Sequence, residues 1–370
     1  MASVAAAIIV RDEEQFLPDC LSSLHAKVDD IVIVDTGSVD KTLSIAESFG
    51  ARIFHFKWCD DFAAARNRGL EEISTDWVLY IDADERVSTP DDRAIAEFLN
   101  PEAIAAFVRF RPRLNYTRYR EPRLFRRDHR LRFSGKIHES ILPAINLLFE
   151  PNEPSIARTA VNIDHFGYEG DQSHKIARNI PLLRRAVEDD PDRVYYWYHL
   201  AESLAAVDRT DEALAIAMQG LRVARQRPSE KQRINASMIF QFVARTQFER
   251  GLNPLALVAE GLASVPDDHA LRFMEARARL DSDEFAAALQ IAEDLLSIDA
   301  ELLFDGLLAF DKRIFGEFAH ELAGVAAFRL GRFADASRHF LRAAVASPEN
   351  ISYRVRAHAA SLQQRKASIA

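Results

Sequence analysis

The sequence is poor in cysteine and lacks any long apolar run. Its 370 residues include two cysteines, Cys20 and Cys59, with neither a CxxC pair nor a metal-ligand spacing, which fits a reduced, cytoplasmic setting. No apolar stretch approaches the roughly 18 residues of a membrane-spanning helix. The apolar start "MASVAAAIIV" passes directly into "RDEE", which indicates a first strand rather than a signal peptide. We expect a soluble, cytoplasmic protein and leave peripheral contact with the inner membrane open.

Acidic residues outnumber basic ones, with 56 aspartates and glutamates against 47 lysines and arginines. The formal net charge of −9 argues against general nucleic-acid binding, although it is compatible with a local basic patch. The loop after the second apolar run lacks the G-x-x-x-x-G-K and G-x-G-x-x-G patterns. It is therefore neither a P-loop nor a dinucleotide-binding turn.

Residues 1–110 alternate short apolar runs with helical patterns. Strands are predicted over residues 4–10, 31–34, 52–56 and 77–81, with helices between them. Near-continuous apolar strands that alternate with helices indicate a parallel sheet covered on both faces. In such α/β folds ligands bind beyond the carboxyl ends of the strands.

The rest of the chain has a different pattern. Residues 106–166 are extended and rich in arginine, which suggests an antiparallel extension or an active-site flap. From residue 173 onward the sequence is almost entirely helical, and "DEALAIA", "AAALQIA" and "GRFADASRHF" share a small-residue pattern. Such helix pairs, repeating at about 34 residues, are typical of tetratricopeptide repeats (TPR), and a non-repeating helical domain is the alternative. We predict domains over residues 1–170 and 171–370, with a linker near 167–173.

An acidic cluster follows the fourth predicted strand in "WVLYIDADERV", where Asp82, Asp84 and Glu85 fall close together. A helix is predicted next in "STPDDRAIAEF", whose own first residues suit a helix start, so the cluster is not needed as a cap. If the chain stays extended, Asp82 and Asp84 point the same way. Two converging carboxylates suit Mg²⁺ or Mn²⁺, and such a cation usually also binds substrate phosphates.

Other candidate residues follow the first two predicted strands or lie on a nearby helix, where ligands of α/β sheets bind. Asp35, in "VDTGSVDKT", could accept hydrogen bonds from a nucleobase or ribose, and a plain β–α turn is the alternative. Arg11 could meet a base or a phosphate. Arg66, in "WCDDFAAARN", could reach a diphosphate or the acidic cluster, or could instead pair with Asp60 or Asp61.

Seven motifs now stand in order along the chain. They are "RDEE", "VDTGSVDKT", "WCDDFAAARN", "YIDADE", "RLFRRDHRLRFSGKIHE", "DHFGY" and "HKIARNIPLLRRAVEDDPD". Together they resemble the inverting family 2 glycosyltransferases of the GT-A fold, in the bacterial branch with C-terminal tetratricopeptide repeats. The resemblance implies a GT-A, Rossmann-like, mostly parallel sheet followed by an all-α, TPR-like domain. It also implies a nucleotide-diphospho-sugar donor, with a UDP-sugar as the first candidate.

The resemblance also carries over residue by residue. It implies that Asp35 contacts the nucleobase, that Asp84 binds Mn²⁺ or Mg²⁺, and that Asp82 lies by the ribose or the metal. The cation would bridge the phosphates and neutralise charge as the nucleoside diphosphate leaves. His165, in "DHFGY", looks like the late histidine of GT-A enzymes that reaches back to the metal or the diphosphate, and a structural histidine is the alternative.

An inverting transfer also needs a general base that deprotonates the acceptor. The motif "KIHES" supplies His138 and Glu139, which face opposite ways if the segment is extended. We favour Glu139 as the base and keep His138 as the alternate. Pairing of both residues with neighbouring arginines is the structural alternative.

Residues 109–136 carry eleven basic residues and only two acidic ones. In an acidic protein this concentration suggests an anionic partner, namely the donor diphosphate, an anionic lipid acceptor or a membrane surface. We select Arg123 and Arg126, in "RLFR", as donor-binding residues. For most of the others a solvated β-ribbon is the alternative.

The predicted acceptor is a protein or peptide, or else a glycan or lipid. Tetratricopeptide repeats would offer a concave surface for a peptide, or would form a homodimer. A nucleotidyltransferase is disfavoured because no glycine-rich loop follows the first strand in "IIVRDEEQF". The alternative from a different class is a non-catalytic TPR scaffold with a degenerate nucleotide-binding domain. Nucleic acid is not an expected partner.

Overall fold

The computed structural model describes residues 2–148, 156–167, 173–226 and 233–368. Two compact units divide the chain. The first comprises residues 1–114, 118–188 and 304–309, and the second comprises residues 115–117, 189–303 and 310–370. The predicted linker at 167–173 lies largely outside the described residues, and the first unit extends to Glu188.

A mixed sheet of eight strands forms the centre of the first unit, within the described residues. The strands are β1 (Val4–Val10), β2 (Asp30–Asp35), β3 (Arg52–His55), β4 (Trp77–Tyr80), β5 (Glu85–Ser88), β6 (Ala105–Arg111), β7 (Tyr119–Arg126) and β8 (Ala157–His165). Their spatial order is β3-β2-β1-β4-β7-β6-β8-β5. The strands β1, β2, β3 and β4 are parallel to one another, and β6 pairs in parallel with β8. Strand β7 is antiparallel to both β4 and β6, and β5 is antiparallel to β8. The predicted Rossmann-like sheet is confirmed.

The parallel strands are apolar because both faces of the sheet are covered. Along β1, Val4, Ala6 and Ile8 pack into one core cluster, and Ala5 and Ala7 pack into another. Three helices supply the other sides of these clusters: α1 (Leu17–Leu24), α2 (Thr42–Ser48) and α3 (Phe62–Glu71). α1 and α2 contribute to the first cluster and α3 to the second, so helices cover both faces and the strand ends form the edges.

The helix predicted after the acidic cluster does not form. Two short 3₁₀ turns, Pro90–Asp92 and Ile95–Phe98, take its place. Asp91 and Asp92 have φ values of 52° and 57°, in the left-handed region, which is incompatible with a continuous right-handed helix. Before these turns, Glu85 of the acidic cluster begins the short strand β5. The described part of the first unit contains two further helices, α4 (Leu142–Leu147) and α5 (Ser173–Asp189), of which α5 ends at the border with the second unit.

Helices make up most of the second unit. They are α6 (Val194–Ala205), α7 (Thr210–Gln226), α8 (Arg233–Glu249), α9 (Leu255–Ser264), α10 (His269–Asp281), α11 (Phe285–Leu296), α12 (Glu317–Arg329), α13 (Phe333–Ala346) and α14 (Ile351–Ala367). Successive helices pack on one another with small residues at close contacts. A Cβ on Gly324 would lie 2.7 Å from the Phe340 ring, for example. The region is consistent with TPR-like repeats, and within the described part of the chain no helix is long and apolar enough to cross a membrane.

Candidate active site

The carboxyl ends of the parallel strands β1, β2 and β4 meet at one edge of the sheet. Val10 is in register with Asp35, and Ala7 is in register with Tyr80. The segments that leave this edge carry Arg11, which is exposed, and the acidic cluster. This is the position at which open α/β sheets bind ligands.

Arg66, on α3, joins two of the predicted site residues. Its guanidinium donates from Nη2 to Asp82 Oδ1 at 2.7 Å and from Nε to Glu139 Oε1 at 2.5 Å. The Tyr80 and Phe133 rings flank the group, with centroids 5.2 and 5.6 Å from Cζ. Burial lowers the pKa of Arg66, but Asp82 and Glu139 outweigh burial and raise it, so the charge is kept. Arg66 thus holds Asp82 and Glu139 together, rather than pairing with the acids at the start of its own helix.

Asp82 is the accessible acid of the cluster, with a side chain that is 39% exposed. Burial raises its pKa, but Arg66 and Arg123 outweigh burial and lower the pKa to about 2, so the carboxylate is ionised at neutral pH. The Asp82 N–H donates to Glu85 Oε2 at 2.9 Å, and the Glu85 N–H donates to Asp82 O at 3.0 Å. These reciprocal bonds fix the turn between β4 and β5.

Glu85 stabilises the turn between β4 and β5 from the buried side. Its side chain is fully buried, and Arg123 on β7 donates to Oε1 at 2.9 Å and to Oε2 at 3.3 Å. Burial raises the pKa of Glu85 to about 7, although Arg123 opposes the rise. The Arg123 guanidinium also lies 4.5 Å from the Tyr80 ring centroid. Arg123, predicted to bind the donor, is therefore brought to the cluster, but it is buried there as the partner of Glu85.

Asp84 lies against His165, the last residue of β8. His165 Nε2 is 3.4 Å from Asp84 Oδ2, and His165 Nδ1 is 3.1 Å from the Pro112 carbonyl oxygen. Because a carbonyl only accepts, we assign the ring proton to Nδ1, which turns the Nε2 lone pair toward the carboxylate. Burial lowers the pKa of His165, but Asp84 outweighs burial and raises it. Two acceptors that face each other in this way share a cation or a proton.

Gly167 allows the chain to pass close to this pair. A Cβ at this position would lie 1.9 Å from Asp84 Oδ2 and 2.9 Å from His165 Nε2. Only glycine therefore fits here without moving the carboxylate or the imidazole. This lack of space explains why a glycine occupies this position of the motif "DHFGY".

The predicted metal ligands are assembled in part. Asp84 and His165 converge, whereas Asp82 is bound to Arg66. Within the described ranges, no three His, Cys, Asp or Glu side chains are placed to hold one metal. The Asp84–His165 pair nevertheless fits a divalent cation, because a ligating histidine commonly donates its other ring N–H to a backbone carbonyl. Phosphate oxygens of a substrate are the usual further ligands of Mg²⁺.

Asp35 is buried at the end of β2 and held by its own turn. It accepts from the backbone N–H groups of Ser38 at 2.9 Å and Gly37 at 3.2 Å, and His55 Nδ1 lies 3.3 Å away. Burial raises the pKa of Asp35, but the hydrogen bonds from Ser38, His55 and Gly37 outweigh burial and lower it. The β–α turn that the sequence leaves as the alternative is therefore present. The contact of ionised Asp35 with a nucleobase stays a prediction.

Two residues at the cluster were not predicted. Glu13 and Lys175, the latter on α5, both lie there: Lys175 Nζ is 3.6 Å from Asp84 Oδ2 and 4.0 Å from Glu13 Oε1. Burial raises the pKa of Glu13 to about 7, Lys175 lowers it, and Asp84 adds to the rise. The motifs "RDEE" and "HKIARN" contain these residues, but nothing in their spacing relates one to the other.

The segment around "KIHES" is a closed loop rather than an extended strand. Ser134 and Ser140 exchange backbone hydrogen bonds of 3.0 and 2.9 Å across it. His138 has a φ of 50°, which no strand residue adopts. His138 and Glu139 therefore do not alternate as the sequence predicts. The loop brings Glu139 to Arg66, and through Arg66 to Asp82.

Arg126 lies at the opposite edge of the sheet from the acidic cluster. It is paired in register with Trp77, the first residue of β4, and donates to the carbonyls of Ala103 and Pro101. Because β7 runs antiparallel to β4, Arg126, three positions after Arg123, lies farther from the carboxyl ends of the parallel strands. We therefore place Arg126 outside the candidate site.

Other arginines of the basic segment have acidic partners within the first unit. Arg111 Nη2 lies 2.8 Å from Asp164 Oδ2, and Arg118 donates to the same carboxylate. Arg120 Nε donates to Asp305 Oδ1 at 2.7 Å. Much of the positive charge is therefore neutralised internally, and the segment is not a uniform anion-binding surface.

Open α/β domains bind ligands beyond the carboxyl ends of their parallel strands. The sheet of the first unit, with its acids at those ends, belongs to this class of ligand-binding domain. Residues 6–158 match the model of glycosyl transferase family 2. This part of the chain is therefore a glycosyltransferase family 2 domain, as the motifs predict.

Three curated relatives are similar to the chain. A TPR repeat-containing protein of Synechococcus elongatus is 35% identical over 62% of this chain and 59% of its own length. The prophage-derived glycosyltransferase SunS of Bacillus subtilis is 25% identical over 57% and 51%. The lipopolysaccharide core biosynthesis glycosyltransferase LpsC of Rhizobium meliloti is 35% identical over 39% and 58%. The chain thus spans between 51% and 59% of the length of these relatives.

Proposed function

We propose that the first unit is the catalytic part of a metal-dependent, inverting glycosyltransferase. It would move a sugar from a nucleotide-diphospho-sugar, with a UDP-sugar as the first candidate, to a protein or peptide, or to a glycan or lipid. The observation that carries the proposal is the Asp84–His165 pair beside ionised Asp82, at the carboxyl edge of the parallel strands. The family 2 domain and relatives that are named glycosyltransferases support it.

In this proposal Asp84 and His165 hold Mn²⁺ or Mg²⁺. A cation bound there would supply positive charge to the departing nucleoside diphosphate. Arg66 fixes the direction of the Asp82 carboxylate, whose exposed face is free to accept from a ribose hydroxyl. Asp35, ionised and held at the end of β2, accepts from the nucleobase.

Glu139 is the proposed general base. Its Oε1 accepts from Arg66, which orients the carboxylate, and Oε2 remains for the proton of the acceptor hydroxyl. The same guanidinium binds Asp82, so donor and acceptor groups are positioned by one rigid side chain. His138, the residue before it in the loop, is the alternate base.

Donor turnover tests the proposal. The protein is incubated with UDP-, GDP- and TDP-sugars in Mn²⁺, and free nucleoside diphosphate is measured. We expect release from one donor class, loss of release in EDTA, and loss in Asp84→Ala. Asp283→Ala, at an exposed acid of the helical unit, is the control and should release as the wild type does. Absence of release and of any thermal shift with every donor would overturn the proposal.

A further inference from the structure

We infer that Lys175 is a further donor-binding residue, which contacts the diphosphate of the nucleotide-sugar. The inference deepens the proposed function and rests on it. Lys175 Nζ lies 3.6 Å from Asp84 Oδ2, the same oxygen that is 3.4 Å from His165 Nε2. A phosphate held beside Asp84 is therefore within reach of the four-carbon lysine side chain.

The Lys175 ammonium is not fixed by its present neighbours. Its distances of 3.6 Å to Asp84 and 4.0 Å to Glu13 exceed the 2.7 to 3.2 Å of ordinary N–H···O bonds. The side chain is 42% exposed, so its end meets solvent and can rotate to a ligand. A phosphate oxygen would offer a shorter, charge-assisted bond than either carboxylate does now.

Two arginines of the cluster have committed partners. Arg66 donates to Asp82 and Glu139 in short bonds, and Arg123 is buried against Glu85. Moving either would leave a buried carboxylate without its partner, which is costly. Lys175 carries no such penalty, because its contacts are long. Lys175 can therefore leave its present contacts and bind an incoming anion.

Helix α5 holds Lys175 in position. Ile180, Leu183 and Val187 are buried along one face of this helix, which belongs to the first unit up to Glu188. Arg178, three residues after Lys175 and so on the same helical face, lies with Cζ 5.1 Å from the Phe62 ring centroid. The basic face of α5 is thus turned toward the residues of α3 and the acidic cluster.

A merely structural counter-ion of Asp84 and Glu13 would behave differently from a diphosphate ligand. Loss of a counter-ion would disturb the acids and so change cation and nucleoside binding as well. Loss of a phosphate contact would weaken nucleoside diphosphate binding alone. Removing a positive charge beside Asp84 should, if anything, favour a divalent cation.

The experiment titrates UDP, GDP and TDP into the wild type and Lys175→Met by calorimetry in Mn²⁺. Uridine, which lacks phosphates, and Mn²⁺ without nucleotide are titrated in parallel. For Lys175→Met we expect the Kd of the bound nucleoside diphosphate to rise by about tenfold or more, as for a lost charged hydrogen bond. Its Mn²⁺ and uridine affinities should not fall, and Lys175→Arg should recover most of the loss. Lys366→Met, at an exposed position of α14, is the matched control and should bind as the wild type does.

Two results would overturn the inference. One is a Lys175→Met variant that binds the diphosphate as tightly as the wild type, and the other is a parallel loss of Mn²⁺ and uridine binding. A wild type that binds none of the three diphosphates would instead overturn the proposed function itself. The two failures are therefore distinguishable.

Discussion

The three acids of the "DADE" motif have three different environments at the scale of single residues. Asp82 is partly exposed and kept ionised by Arg66, Asp84 faces the lone pair of His165, and Glu85 is buried with its pKa raised to about 7. The sequence places them side by side but does not separate these roles, because each depends on a partner at least 16 residues away. One short motif thus combines an accessible acid, a ligand pair and a structural brace.

Glu139 is expected to matter for transfer and not for donor binding. Glu139→Gln keeps the shape and the bond to Arg66 but removes the basic oxygen, so transfer should fall by about 10² to 10⁴-fold. Donor titration should be unchanged. Glu71→Gln, at an exposed position of α3, should be neutral in both assays. Retained transfer in Glu139→Gln would move the base assignment to His138, which His138→Ala would then test.

Gly167 is expected to be essential for the Asp84–His165 pair. In Gly167→Ala the new methyl would lie 1.9 Å from Asp84 Oδ2, so the carboxylate must move and Mn²⁺ affinity should fall by at least tenfold. Gly316→Ala is the matched control, since a Cβ there meets nothing within 4 Å. Mn²⁺ titration of the two variants distinguishes them. Equal affinities in Gly167→Ala and the wild type would contradict the ligand assignment.

At the scale of elements, local patterns predicted the parallel strands well. The predicted strands at 4–10 and 77–81 agree with β1 and β4 to within one residue, because short, continuous apolar runs suit strands that are buried on both faces of a sheet. The predicted helix after the cluster failed because Asp91 and Asp92 adopt left-handed φ values. The pairing of Glu85 with His165 across β5 and β8 joins residues far apart in sequence, and no local pattern encodes it.

Residues 304–309, which lie in sequence between α11 and α12, belong to the first unit and supply a partner to a buried arginine. The Arg120 side chain is 5% exposed and pairs with Asp305. Asp305→Ala should reduce the free energy of unfolding of the first unit by about 1 to 3 kcal/mol, because a buried charge loses its acid. Asp19→Ala, which removes an exposed ion pair with Arg86 in the first unit, should change it by less than about 1 kcal/mol. Urea unfolding followed by circular dichroism compares them, and equal stabilities would contradict the role of Asp305.

The contact between α12 and α13 is expected to be sensitive to acid. His320 Nδ1 lies 3.1 Å from His339 Nδ1, and burial, with His339 and Arg342, lowers the pKa of His320 from 6.5 to about 4. Between these values the unfolded chain binds more protons than the folded chain, so stability falls as the pH drops from 6.5 to about 4.

His320→Gln tests this pH dependence. The variant should lose less stability between pH 7 and pH 4.5 than the wild type does, in urea unfolding at about these two values. His25→Gln, at an exposed histidine of the first unit, should retain the dependence of the wild type. An identical fall in His320→Gln and the wild type would show that other groups cause it.

At the scale of the whole molecule, composition described the charge balance but not its distribution. The net charge of −9 coexists with an arginine-rich segment whose members pair internally with Asp164, Asp305 and Glu85. The family 2 domain occupies residues 6–158, and the remaining helices are consistent with TPR-like repeats. The chemistry that we propose is therefore concentrated at one edge of one sheet.

The most direct test of that proposal is cation-dependent binding of a nucleoside diphosphate. UDP, GDP and TDP are titrated into the wild type and Asp84→Asn by calorimetry, in Mn²⁺ and again in EDTA. We predict that at least one of them binds the wild type in Mn²⁺, that EDTA weakens its binding strongly, and that Asp84→Asn binds equally weakly in both conditions. Binding that is indifferent to Mn²⁺ and to Asp84, or no binding of any of the three, would contradict the account.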